Sequence, residues 1–157
     1  MKLWRLSLEK HAATAFSGQG SFLYGGRWSP VGCPAVYLSE SVSLTVLETL
    51  VHADTSVWSS PAAPRHVVFA VHVPDDIGID AVAADELPPD WNATPAPVGL
   101  QDLGRTWFDR AGSPLLRVPS AIVTQESNFL FNPLHPEASR IEIGDAEPFG
   151  VDGRLWR

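Results

Sequence analysis

At 157 residues and 45% hydrophobic, the chain can bury a core as one domain, residues 1–157, without disulfide or metal staples. Its one cysteine, Cys33, excludes an intramolecular disulfide framework and a cysteine-only metal cluster. A net charge of −7, with Lys2 and Lys10 the only lysines, excludes a diffuse basic surface, so no direct binding of nucleic acid is expected.

In chain order, MKLWRLSLEK is interrupted by charges and holds no signal-peptide core, and no later segment has the length and apolarity of a membrane span. A cytoplasmic location and no membrane association are expected. Residues 3–8 read as a short strand, residues 18–32 as a Gly-rich loop and residues 35–38 as a second strand. Residues 41–53 read as a helix, with Val42, Val46, Leu47, Leu50 and Val51 at helical spacing, Ser39 or Ser41 as cap, and Glu48 and His52 sharing the opposite face. The β-branched run RHVVFAVHV, residues 65–73, predicts a buried strand closed by Pro74-Asp75-Asp76. Residues 85–98 carry Pro88, Pro89, Pro95 and Pro97, which predicts an irregular surface connection and a candidate flap. A second helix is predicted over residues 100–110, with Leu100, Leu103 and Trp107 on one stripe. LLRV, SAIVT, NFLFN and RIEIG then read as short strands. Few helices among many strands, without regular alternation, predict an α+β fold with a mixed sheet rather than a doubly wound one.

The 18–32 loop lacks G-x-G-x-x-G and a Gly-Lys-Ser/Thr ending, so its glycines read as turn formers, with Arg27 after Gly25-Gly26 as the functional exception. Arg27, Tyr37 and Glu48 fall in close succession. They offer a planar fork of donors for phosphate, a flat aromatic face, and a carboxylate able to stabilise positive charge, as in a nucleotide cleft. A solvated helical carboxylate is the bland alternative for Glu48, and His52 fits a helix C-terminus without a catalytic role. Histidines 11, 52, 66, 72 and 135 have no metal-ligand spacing, so no metal is expected, and His66 and His72 share one face of a strand. Ser120 lacks a G-x-S-x-G elbow, which leaves a strand-edge hydroxyl bonded to backbone as its simplest role, while Ser127 and Asn128 read as turn formers. Trp4, Trp28, Trp91, Trp107 and Tyr24 are core or cleft-lining candidates.

LWRLS, GGRW, VYLSES with SLTVLETLVH, and VPSAIVTQESNFLFNPLHP occur in this order along nearly the whole chain. The chain resembles in these motifs the RES-domain toxins of bacterial RES-Xre toxin–antitoxin systems, named for an arginine, a glutamate and a serine. The resemblance maps those residues onto Arg27, Glu48 and Ser120, with Ser127 as the competing serine and Tyr37 as the family tyrosine. It implies an ADP-ribosyltransferase-like fold and NAD as substrate, with no cofactor. It further implies cleavage of the nicotinamide–ribose bond to arrest growth, or transfer of ADP-ribose to a protein. Glu48 and Ser120 would be catalytic, Arg27 and Tyr37 would bind NAD, and Arg5 would add a weaker phosphate contact. The implied partner is an Xre-type helix-turn-helix antitoxin, and the resemblance admits a homodimer within that complex. An inert nucleotide-binding or antitoxin-docking module and a ribonuclease are the competing classes, the latter disfavoured by the acidic charge.

Overall fold

A computed structural model describes residues 1–52, 64–152 and 154. The sheet is built around β1 (Lys2–Leu8), which pairs antiparallel with β3 (His66–His72) over its whole length, from Lys2 opposite His72 to Leu8 opposite His66. On its other side β1 meets β2 (Val36–Ser39) only at Trp4 opposite Ser39, so the two strands diverge. β2 continues into β6 (Ser127–Phe131), β6 into β5 (Leu115–Pro119), and β5 into a parallel edge strand, β4 (Ile79–Ala81). Short strands β7 (Glu142–Ile143) and β8 (Glu147–Phe149) pair with β3 beyond the other edge. The order β4-β5-β6-β2-β1-β3-β7, with β8 also on β3, is a mixed sheet in an α+β fold, as the element pattern predicts.

The central strands are buried on both faces, and their alternation sorts two cores. Leu3, Val36, Leu38, Leu115, Phe129 and Phe131 point to one. Leu116, Val118 and Leu130 point to the other, where α3 (Gly99–Arg110) lays Leu100 and Trp107 against Trp28 and Trp91. Truncating a side chain such as Leu130 to alanine costs about 2–5 kcal/mol at a site this closed.

Several local readings change in the fold. The Gly-rich loop contains a helix, α1 (Gln19–Tyr24), bracketed by Gly18 and Gly25, both at φ 70°. The buried Ser21 hydroxyl accepts from Ala35 N at 2.7 Å and can donate to Cys33 O at 2.7 Å, locking the turn to β2. Tyr24, a candidate core or cleft residue, is 82% exposed instead, because this short helix turns its outer face to solvent. SAIVT is a turn, since the Ser120 hydroxyl accepts from Ile122 N and Val123 N at 3.1 and 3.0 Å and takes the place of strand partners. RIEIG does hold a strand, but only the two residues of β7, entered from a 3-10 turn, Pro136–Arg140, that ends on its arginine. On α3 Leu103 is 40% exposed, whereas Gly104 is buried.

Candidate active site

Glu48 lies on α2 (Val42–Leu50), whose cap is Ser41: its hydroxyl accepts from Leu44 N at 3.0 Å and donates to Glu126 at 3.0 Å. The predicted helix runs to residue 53, and its last position lies outside the described residues. The expected apolar stripe is only partly buried, with Leu47 and Val51 38% and 57% exposed. Leu44, Thr45 and Val46 are the buried residues, and Leu6 N donates to Thr45 Oγ1 at 3.2 Å. That bond keys α2 to β1 beside the point where β1 leaves β2. Because residues three and four apart share a helix face, Glu48 sits on the stripe of Leu44 and Thr45 and turns inward. The solvated reading of Glu48 does not hold.

One carboxylate oxygen of Glu48, Oε1, accepts from the Ser120 hydroxyl at 2.8 Å and from the Asn128 side-chain amide. Ser120 is fully buried, and its lone pairs take the Ile122 and Val123 amides, so its proton is directed onto the carboxylate. The serine thus bonds backbone, as its simplest role predicts, and at the same time holds Glu48. Ser127 heads β6 opposite Pro119, and strand alternation points it to the other face from Asn128. Asn128 is not the turn former its residue type suggests. It pairs with Ser39 across β2 and β6 and accepts from that hydroxyl at 2.7 Å. A polar amide inside SNFLF, directly ahead of three apolar strand residues, is the signal that reveals it, since a buried amide requires partners.

The GGRW loop forms the opposite wall. Tyr37 Oη accepts from Trp28 N at 3.1 Å and shares a bond with Ser29 Oγ at 2.9 Å, and burial pushes the phenol up. A Cβ on Gly26 would stand 2.5 Å from that oxygen, which explains glycine there. Gln101 donates to Gly26 O at 2.9 Å. Arg27 donates through one terminal nitrogen to Trp91 O and Ala93 O, at 2.8 and 3.0 Å. It thereby ties down the proline-rich segment predicted as a flap. That segment is further anchored by Trp91, 8% exposed against Trp28, and its Thr94 and Ala96 line the cleft.

Arg5 reaches across the gap between β1 and β2 and donates to Tyr37 O at 2.8 Å. Its Nε is buried without a partner among the described residues, and burial pushes the guanidinium down to about 10. Arg5, Arg27, Tyr37, Glu48, His52 and Asn128 line one cleft of about 580 Å³, a volume in the range of small-molecule sites. Two arginines and one oriented carboxylate thus share a concave site in an otherwise acidic chain. Among the described residues no three His, Cys, Asp or Glu side chains gather as for a metal ion, and no helix is long and apolar enough to cross a membrane.

Comparison with known proteins agrees with this architecture. The RES domain family model matches residues 2–152. The chain is 40% identical over 156 residues to a protein named Toxin Res from Photorhabdus laumondii subsp. laumondii, covering 99% of this chain and 97% of that one. It is 34% identical over 158 residues to the Prs ADP-ribosylating toxin of Sphingobium sp., covering 98% and 96%. A chain of the crystal structure of the M. tuberculosis MbcT-MbcA toxin-antitoxin complex superposes with a TM-score of 0.76 at 17% identity, covering 99% of this chain and 86% of that one.

Proposed function

The chain belongs to the RES domain family, and on that premise we propose that it is the toxin of a toxin–antitoxin pair that cleaves the nicotinamide–ribose bond of NAD. The observation that carries this reading is the Glu48 carboxylate, held by Ser120 and Asn128 in a cleft whose facing wall bears Arg27. Cleavage builds positive charge on the ribose carbon that loses nicotinamide, and a fixed carboxylate stabilises that charge as it forms. Nicotinamide departs as a neutral molecule from a cationic ring, so the site needs no second carboxylate as general acid, and water bonds the ribose carbon in its place, giving ADP-ribose and a proton to solvent. Arg27 binds the pyrophosphate through the donors left after its bonds to residues 91 and 93, and Arg5 adds a second cation. The Tyr37 ring packs on nicotinamide or its ribose, its hydroxyl being engaged by Trp28 and Ser29.

The reaction consumes NAD as substrate and requires no cofactor. The partner in this reading is an Xre-type antitoxin, and the site of action is the cytoplasm. A second reading, transfer of ADP-ribose to a protein acceptor, is favoured by the Prs ADP-ribosylating toxin among the relatives. The same cleft serves both, and the products separate them.

The test is cellular NAD measured by mass spectrometry after brief induction of the wild-type chain and of Glu48→Gln, each with and without the neighbouring antitoxin gene. NAD loss with wild type alone is expected. Growth arrest with unchanged NAD and an ADP-ribosylated protein would replace hydrolysis by transfer, and arrest with neither would overturn both.

A further inference from the structure

We infer that Asn128 is the positioning residue that determines which oxygen of Glu48 faces the substrate, and that Ser39 holds the Asn128 amide in the orientation this requires. The inference rests on the NAD-cleaving reading above and adds two residues to it.

Both donors to Glu48 converge on Oε1, and among the described residues none bonds Oε2. A carboxylate gripped on one oxygen keeps the other with its lone pairs uncommitted, and Glu48 lines the cleft. Ser120 alone would leave the group free to swivel about its last bond. A second donor from a different element removes that freedom before substrate arrives.

The direction of the amide is itself fixed. The Ser39 hydroxyl donates to Asn128 Oδ1, which leaves Nδ2 to donate to Glu48. A flipped amide would set Oδ1 against the carboxylate, acceptor against acceptor. Ser39 and Asn128 are 3% and 8% exposed, so water does not compete freely for these bonds. They are also cross-strand partners in the β2–β6 ladder. The relay is therefore carried by two paired strands of the sheet and ends on a helix.

The experiment uses the full chain purified from its antitoxin complex, with steady-state NAD cleavage for wild type, Asn128→Asp, Asn128→Ala, Ser39→Ala and the Ser39→Ala/Asn128→Ala pair. Asn128→Asp keeps the shape but turns the donor into an acceptor, and kcat should fall about 100-fold or more with KM changed less than about threefold. Ser39→Ala should lower kcat by about three- to tenfold, yet add nothing once Asn128 is alanine, because Ser39 acts through it. Wild-type kcat in Asn128→Asp, or losses that multiply in the pair, would overturn the inference while leaving NAD cleavage intact. An NMR signature independent of turnover accompanies the kinetics: the Asn128 side-chain amide protons should move in Glu48→Ala. Should wild type leave NAD untouched, the NAD reading falls, and this shift decides the relay by itself, its presence supporting the Asn128–Glu48 contact and its absence refuting it.

Discussion

Replacing Gly104 by alanine sets two effects of opposite sign against each other. Inside a helix such as α3 the change should stabilise by about 1 kcal/mol through propensity alone. Here the new methyl would overlap the Trp28 carbonyl oxygen and lie 2.8 Å from its carbon, where ordinary contact begins at 3.4 Å. Relief demands that α3 and the GGRW loop part by more than the roughly 0.6 Å that the carbon alone requires, because the oxygen stands nearer still, in an interior packed to crystal density. The displaced surfaces are those of Trp28, Leu100 and Trp107, 2%, 1% and 5% exposed. Overpacking of this kind costs about 1–3 kcal/mol or more and here strikes rigid backbone, so a net loss of about 2 kcal/mol is expected. For a chain of 157 residues that lowers Tm by roughly 4–8 °C. Urea and thermal unfolding measure it, with Gly99→Ala as control, because a methyl there meets nothing within 4 Å. If Gly104→Ala melts at or above the wild-type temperature, the close approach of α3 to the Arg27 loop is wrong.

Other perturbations follow from the same contacts. Tyr37→Phe keeps the ring but strips the acceptor from Trp28 N, and urea unfolding should show a loss of about 1–2 kcal/mol. An unchanged midpoint would mean that the phenol does not hold the loop. Burial pushes Arg5 down from the ordinary guanidinium range to about 10, so the unfolded chain binds that proton more tightly, and the charge penalises the fold at every pH below about 10. Arg5→Gln should therefore be as stable as wild type at neutral pH while losing the Tm rise that the proposed NAD cleft predicts for wild type with ADP-ribose. A clear drop in unliganded stability would assign Arg5 a structural role instead. Burial holds His66 below its ordinary value of 6.5. As pH falls through 6.5 the unfolded chain takes the proton first, and stability declines from there downward. Midpoints between pH 7.5 and 5 should show that slope in wild type and a shallower one in His66→Phe, and equal slopes would refute it.

What could be read from the sequence was what neighbours along the chain decide. β1, β2, α2, β3, α3, β5 and β6 all announce themselves through periodicity and stops, because each buries a face its own residues mark. Most of the failures come from partners distant in sequence, while SAIVT turns on bonds within itself. Leu47 and Val51 look like the inner face of α2, but Thr45 bonds β1 and turns the helix. SAIVT has strand composition, and one serine hydroxyl folds it into a turn. The three-residue β4 exists only because β5 offers it an edge. In the site, Arg27, Tyr37, Glu48 and Ser120 stand out by motif, and the fold brings all four to the cleft or directly behind it. Asn128 is marked locally only as an amide in a buried strand that needs partners, and which partner it finds depends on the cross-strand register with Ser39, which no local pattern displays.

The two donors to Glu48 lie 72 and 80 residues further along the chain, and the carbonyl that first receives Arg27 lies 64 further. During synthesis the carboxylate therefore leaves the ribosome long before the groups that orient it. A nascent chain that has displayed only β1, β2 and α2 carries Glu48 on a helix without its amide and hydroxyl partners, and closing such long loops is the slow part of folding. The oriented carboxylate is thus among the last features to form, which leaves the interval of translation as time in which a partner made alongside can already be waiting.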